Sequence, residues 1–491
     1  MKNIEFKHTY KSLAKEFYFD QPVYKYPNAK VVVLNDTLAR ELGINFNESS
    51  GNEILEFLLG YTSKEPIAQA YAGHQFGHFT ILGDGRAILL GEYTKPNGSI
   101  VDIQLKGSGR TAYSRGGDGK ATFQSMLREY IVSEAMHNLG IPTSRILAVI
   151  TTGENIQRNN LEQGAIAVRV ATSHIRFGTF QYAATPMKDI GHINSDIKVE
   201  TFQYAATQGR KYSQELLDYT LQRHGIPYGK NKALSLLEHM IEKQSSLIVE
   251  WERVGFIHGV MNTDNMAISG ETIDYGPCAF MDEYDPETVF SSIDRNGRYA
   301  FANQSSIAGW NMARLAESLL PLIADDENKA IELAQEVLAS YSQLYTDKWQ
   351  QMLMNKLGVE GYQTTDNELI SELLILMNEN KLDYTNTFYN LTYQNLGVLK
   401  DNGLSEWLDK WQARVINVEK ATVIMRKNNP VLIPRNHQVE KALKAADKGD
   451  LSLVMSLVKA TSKPYQISKD FEEYMELPSA DKRVKATFCG T

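Results

Sequence analysis

The stretch from Trp251 to Asp285 constrains this chain more than any other. It reads W-E-R-V-G-F-I-H-G-V-M-N-T-D-N-M-A-I-S-G-E-T-I-D-Y-G-P-C-A-F-M-D-E-Y-D. The pattern predicts a helix end running into a loop that carries His258, Asp264 and Asn265. A short strand over 266–269, a turn at Gly270, a second strand and Asp274-Tyr275-Gly276 are expected to follow.

An Asn, a short hairpin and then Asp-aromatic-Gly is how kinase-like enzymes hold Mg²⁺ on nucleotide phosphates. Two hard oxygen donors, Asn265 and Asp274, suit Mg²⁺, which fills the rest of its shell with water and phosphate oxygen. One position departs from the kinase pattern. Counting from His258 as in H-R-D-x-x-x-x-N, the final Asn falls on Asn265, but the Asp that takes the substrate proton falls on Val260. Valine accepts nothing. The other carboxylate in the loop is Asp264, beside Asn265. Either the site is catalytically silent, or it runs a different reaction on the same metal.

At 491 residues the chain has room for one large catalytic unit with extensions. Two or three domains of roughly 150 residues are the other option. Hydrophobic content of 43% and charged content of 22% are ordinary for a globular protein. A net charge of −8 argues against nucleic-acid binding through phosphate contacts. No apolar run approaches ~18 residues, and the start, M-K-N-I-E-F-K-H-T-Y, lacks a leader's apolar segment. Neither a membrane nor a nucleic acid is expected as a partner. Two cysteines are too few for a disulfide framework and suit a cytoplasmic location.

Taken in order, residues 1–70 read as an irregular N-terminal segment. It holds a V-V-V-L strand at 31–34, a helix capped by Asn35 or Asp36 and stopped by Gly43, and a second helix near 52–60. Strands A-I-L-L-G-E-Y and I-V-D-I-Q-L-K are joined across Lys95-Pro96-Asn97-Gly98, where Asn-Gly signals a hairpin. Gly83-Asp84-Gly85-Arg86 is the turn entering the first strand, where amides can approach phosphate. It lacks the third Gly of G-x-G-x-x-G, since Ile88 stands there. Lys106 closes the second strand, either as a phosphate-reaching lysine or as a solvated strand end. The polar loop Gly107 to Lys120 carries Arg110, Arg115 and Lys120 and suits an anionic ligand.

Thr122 to Leu139 reads as a helix with Met126, Glu129, Val132 and Met136 on one apolar stripe. A carboxylate there needs a cation, and Lys106 is the natural partner of Glu129; Glu134, on another face, competes. Strands are expected at 145–152 and 165–171. Arg169 in the second strand and Arg176 after it read either as surface ion pairs or as further phosphate ligands. T-F-Q-Y-A-A-T at 179–185 recurs verbatim at 201–207 and is taken as a duplicated surface loop. Helices are expected near 212–223, 232–254, 305–322, 326–346 and 366–379, with several over 404–459. Cys278 follows the metal loop and Cys489 lies near the C-terminus. They either pair as a redox clasp or remain two free thiols.

Several of these stretches resemble the selenoprotein O family, kinase-like proteins long classed as pseudokinases. The resemblance runs from about Tyr71 past Trp310. It is carried by Y-A-G-H-Q-F-G-H, L-G-D-G-R, L-K-G-S-G-R-T-A-Y-S-R-G-G-D-G-K, H-G-V-M-N-T-D-N-M and D-Y-G-P-C. It implies transfer of AMP from ATP to Ser, Thr or Tyr hydroxyls of proteins, with pyrophosphate leaving. It also implies a nucleotide bound the opposite way round from a kinase. Gly83, Gly85, Arg86, Lys106, Asp118, Gly119, Arg169 and Arg176 would then bind ATP. Asn265 and Asp274 would ligate Mg²⁺ or Mn²⁺, Asp264 would accept the proton, and Glu129 would partner Lys106. Where selenocysteine stands in some members, this chain has Cys489.

The fold expected is α+β and protein-kinase-like. An N-terminal extension (1–70) precedes a β-rich lobe (71–180), a helical lobe (181–345) and a helical C-terminal extension with a redox tail (346–491). A kinase-like phosphotransferase and a non-catalytic nucleotide-binding scaffold are the competing readings.

Overall fold

The computed structural model describes residues 4–158, 160–185 and 209–487. Its sheet is eight-stranded, and short apolar runs punctuated by Gly, Asn and Pro supply the strands. From edge to edge it runs β1 (Tyr18–Asp20), β3 (Ile67–Gln69), β6 (Ala87–Thr94), β7 (Ile100–Lys106), β10 (Leu161–Ala171), β9 (Arg145–Gln157) and β2 (Lys30–Leu34). A two-residue strand β8 (Ala121–Thr122) also pairs with β10. Both edge strands thus come from the N-terminal segment. A separate hairpin, β4 (Ala72–Gln75) and β5 (His78–Ile81), stands beside the sheet.

Strand alternation sorts the side chains. Ile103 and Leu105 of β7 and Ile166 and Val168 of β10 lie in one apolar layer. Helix α1 (Asp36–Glu41), capped by Asn35, and helix α2 (Gly51–Leu58), opened by a Ser50/Glu53 capping box, cover that layer with Leu38, Phe57 and Leu58. Gln104, Lys106 and Arg169 must therefore point to the opposite face. There Ala165 and Ala167 leave room for helix α3 (Phe123–Asn138).

Helix α3 is buried on all sides from Met126 to Met136, not along one stripe. The sheet covers one flank. Val439 and Leu443 of the Asn436–Ala446 helix, with Val454 and Leu457 of the Ser452–Ala460 helix, cover the other. The C-terminal region therefore braces the helix that carries Glu129.

Two further expectations are corrected. Residues 266–269 and the stretch after Gly270 do not pair with each other. Met266 and Ile268 bond instead to Phe177 and Ile175 (2.9 Å each), and Thr272 exchanges bonds with Pro142 and Ser144 (2.9 and 3.0 Å). Their backbone groups find partners on flanking segments, which leaves none for a hairpin. The first T-F-Q-Y-A-A-T copy is no surface loop either. It lies in helix α4 (Phe177–Ala184), whose residues up to Ala183 are buried. The second copy falls outside the described residues.

Four long helices, Arg210–His224, Lys232–Arg253, Gln304–Ile323 and Glu327–Leu357, follow. The last continues to Leu357, ending at Gly358 in the left-handed region (φ 67°), rather than near 346. Among the described residues no helix is long and apolar enough to cross a membrane.

Candidate active site

Three cations converge on Asp274. Lys106 Nζ lies 2.7 Å from Oδ1, Arg169 Nη1 2.5 Å from Oδ1, and Arg176 Nη1 2.7 Å from Oδ2. The residue itself adopts φ 64°, a conformation that side chains rarely tolerate and that clusters at functional sites. Burial pushes its carboxyl up, but Arg169, Lys106 and Arg176 outweigh burial and hold it well below the usual carboxylate range. Lys106 Nζ also lies 2.7 Å from Glu129 Oε2, and Arg169 is 3.6 Å from Glu129 Oε1. Glu134 is engaged elsewhere, gripping Arg145 through both oxygens at 2.8 and 2.7 Å. The ring of Tyr71 sits 4.7 Å below the Arg176 guanidinium.

Asp264 stands in a single 3₁₀ turn, Thr263–Asn265. It is buried, and its Oδ1 has no hydrogen-bond partner. Burial raises its carboxyl to about 6; Arg176 opposes that shift and Asp274 adds to it. Arg176 Nη1 also donates to the Asp264 carbonyl at 2.6 Å, tying this turn to Asp274. His258 serves the same join. Its Nε2 donates to the Ile273 carbonyl at 3.0 Å while its ring stacks on Trp251 at 5.3 Å.

The donor set fits a hard divalent ion. The Asn265 nitrogen donates to the Val260 carbonyl at 2.9 Å, which commits the nitrogen and leaves the carboxamide oxygen for a ligand. Asp274 is fully ionised, and both residues line the same cavity. No cluster of three or more His, Cys, Asp or Glu suited to a metal occurs among the described residues. The remaining ligands of such an ion would be phosphate and water, as Mg²⁺ prefers.

That cavity, about 680 Å³, is lined by Gly83, Gly85, Arg86, Lys106, Asp118, Gly119, Arg169, Arg176, Asp264, Asn265 and Asp274. Glu129 stands behind it, on an adjoining cavity of about 1430 Å³ that shares Arg86 and Lys106. The glycine-rich loop is more engaged than its sequence suggests. Arg110 folds back to the Gly117 carbonyl (2.9 Å), Lys120 pairs with Glu154 (2.8 Å), and Asp118 takes Arg158 at 2.8 and 3.0 Å. Gly119 has to be glycine: φ is 66°, and a Cβ there would lie 2.1 Å from the Gly109 carbonyl oxygen.

A buried carboxylate with one free oxygen stands beside an Asn/Asp oxygen pair, and Val260 offers no base. The family model for protein adenylyltransferase SelO matches residues 1–462. The chain belongs to that family. It is a protein adenylyltransferase, an enzyme class that uses ATP as a substrate. The protein nucleotidyltransferase YdiU of Anoxybacillus flavithermus is 50% identical, over 100% of this chain and 99% of its own length. The proteins of the same name from Brevibacillus brevis and Clostridium botulinum are each 49% identical. Both matches cover 99% of this chain, and 97% and 98% of the relatives respectively.

Beside the cavity stand two buried polar residues to which the sequence pattern gave no role, Asp84 and Gln104. Asp84 is buried and raised to about 6 by burial; it accepts from the Gln69 amide and from Gln104 Nε2, 3.1 Å each. Gln104 Oε1 in turn accepts from Arg169. Gln104 was findable, because it precedes Lys106 by two on the same strand face. Cys278 is a free, fully buried thiol that burial pushes up to about 11, which disfavours exchange. Cys489 falls outside the described residues, and with it the choice between a clasp and two free thiols. Thr487 does anchor the chain's end near Cys278, with its hydroxyl donating to the Pro277 carbonyl at 2.6 Å.

Proposed function

We propose that this adenylyltransferase transfers AMP from ATP to Ser, Thr or Tyr hydroxyls of acceptor proteins. The frame would be a two-lobe kinase-like fold, with residues 71–180 as the β-rich lobe and 181–345 as the helical one. The nucleotide lies reversed, so that its α-phosphate faces the acceptor.

In this reading Lys106, Arg86, Arg169 and Arg176 surround the β- and γ-phosphates and stabilise the charge that leaves as pyrophosphate. Glu129 holds Lys106 in place, while Gly83, Gly85, Asp118 and Gly119 form the wall against the nucleotide. Asn265 and Asp274 would hold Mg²⁺ or Mn²⁺, which supplies neutralisation of the phosphate oxygens. The acceptor oxygen attacks the α-phosphorus, the bond from that phosphorus to the bridging oxygen breaks, and Asp264 takes the hydroxyl proton.

The observation that carries this reading is a carboxylate at Asp264 and none at Val260. The kinase base position holds an apolar side chain, and a missing base typically lowers a rate ~10² to 10⁴-fold. Asp264, on the cavity wall, has an oxygen without a partner. Incubation with ATP labelled at either the α or the γ position decides between AMP and phosphoryl transfer. Label on acceptor protein from the α position is expected; retention from the γ position alone refutes AMP transfer.

A further inference from the structure

The Y-A-G-H-Q-F-G-H stretch has no part in the chemistry above, yet it folds directly over the Asp264 turn as the β4–β5 hairpin. The His74 backbone N–H donates to Thr263 Oγ1 at 2.7 Å. Thr263 Oγ1 donates to Gln181 Oε1 at 2.6 Å, and Gln181 Nε2 lies 2.8 Å from His74 Nδ1, which closes a ring through hairpin, loop and helix α4. A second tie lies one residue away, where Asn262 Oδ1 accepts from the Phe76 amide at 3.0 Å and from the Tyr299 hydroxyl. The hairpin approaches so closely that a Cβ on Gly73 would lie 2.3 Å from Asp264 Oδ1. Helix α4 presses from the other side, since a Cβ on Gly178 would lie 1.9 Å from the Ala72 carbonyl oxygen.

We infer that His74, Gln181 and Thr263 are positioning residues that hold Asp264 where the acceptor hydroxyl must arrive. The inference rests on the reading of Asp264 as proton acceptor. The Oδ1 of Asp264 is bonded to nothing, so the direction of the carboxylate is set by the backbone of the turn, by steric contact with Gly73 and by a side-chain hydrogen bond with Gln75 of the same hairpin. Beside the Asn262 ties and the Arg176 bond to the Asp264 carbonyl, the Thr263 hydroxyl joins the turn to both neighbours, accepting from His74 and donating to Gln181 at once. Serine can do both, and valine neither. Displacement of a reacting group by about 1 Å can lower a rate about 10²-fold.

The test compares Thr263→Val and Thr263→Ser, using α-labelled ATP and a degenerate peptide pool bearing one Ser, Thr or Tyr. Thr263→Val is expected to lower kcat by about 10²-fold, with KM for ATP and the affinity for ATP measured by calorimetry unchanged. Thr263→Ser should restore most of the loss. Gln181→Met, similar in length without the amide, should behave like Thr263→Val and serves if the valine variant does not fold. An unchanged kcat, an equal loss in the serine and valine variants, or ATP affinity falling in step with kcat would overturn the inference. Asp264→Asn separates the two levels. If it keeps full transfer, the proton-acceptor reading fails; if it is inactive while Thr263→Val is not, only the positioning inference fails.

Discussion

Asp274→Ala should make ATP bind more tightly when no divalent ion is present. Lys106, Arg169 and Arg176 all spend their charge on this one carboxylate. An incoming triphosphate has to draw them away from it. Removing one member of a buried ion pair costs about 3 to 5 kcal/mol, and since the Asp274 side chain is 21% exposed the lower end applies. After the substitution Lys106 keeps Glu129 at 2.7 Å, Arg169 keeps it only at 3.6 Å, and Arg176 keeps the Asp264 carbonyl at 2.6 Å and the Tyr71 ring at 4.7 Å. If the triphosphate recovers half of the lost ~3 kcal/mol, ATP affinity rises about tenfold. Calorimetric titration of ATP in a chelator measures this directly. Repeating it with Mg²⁺ should reverse the order, because the variant has lost a metal ligand. ATP affinity in chelator no higher in the variant than in the wild type would refute the reasoning.

Glu252 gives a pH dependence of stability. Burial raises its carboxyl from 4.5 to about 8 in the folded chain, where Tyr345 donates to it at 2.7 Å. The folded state therefore holds a proton that the unfolded chain releases first. This contribution is complete below about 4.5 and is lost as pH rises towards 8, with a ceiling of roughly 4 to 5 kcal/mol. Unfolding midpoints measured at pH 5 and pH 8 should converge in Glu252→Gln, and an unaltered difference would count against the shift. Glu129→Gln should reduce AMP transfer, whereas Glu134→Gln should lower stability by about 3 kcal/mol with little effect on turnover by the folded enzyme. Equal losses of turnover in both would dissolve the distinction. Cys278, a buried thiol that burial pushes up to about 11, should resist iodoacetamide until the chain is unfolded, and rapid labelling of the native chain would contradict its burial.

Local features were legible in the residues themselves. The Asn97-Gly98 turn, the Asn35 cap and the Thr122 cap each involve groups a few positions apart. The shared face of Lys106 and Arg169 follows from strand alternation around Ile103, Leu105, Ile166 and Val168. Spacing within one loop was enough to set Val260 against Asn265 and to single out Asp264. The apolar stripe favoured Glu129 over Glu134 as the partner of Lys106, and that pair forms at 2.7 Å, although the helix proves buried on both flanks.

The sequence alone determined the chemical inventory of the candidate site: an Asn/Asp oxygen pair, an unusual carboxylate, a lysine and three arginines, each announced by neighbours near it in the chain. Only the tertiary structure decided who touches whom. It turned Met266 to Ser269 away from a hairpin and into bonds with the 175–177 segment, buried the first T-F-Q-Y-A-A-T copy as helix α4, and closed the ring from His74 to Thr263 to Gln181. The reason is that a hydrogen-bonding group takes whichever partner the packed chain brings within 3 Å. For contacts spanning more than a hundred residues, such as His74 to Thr263, no local pattern records the choice.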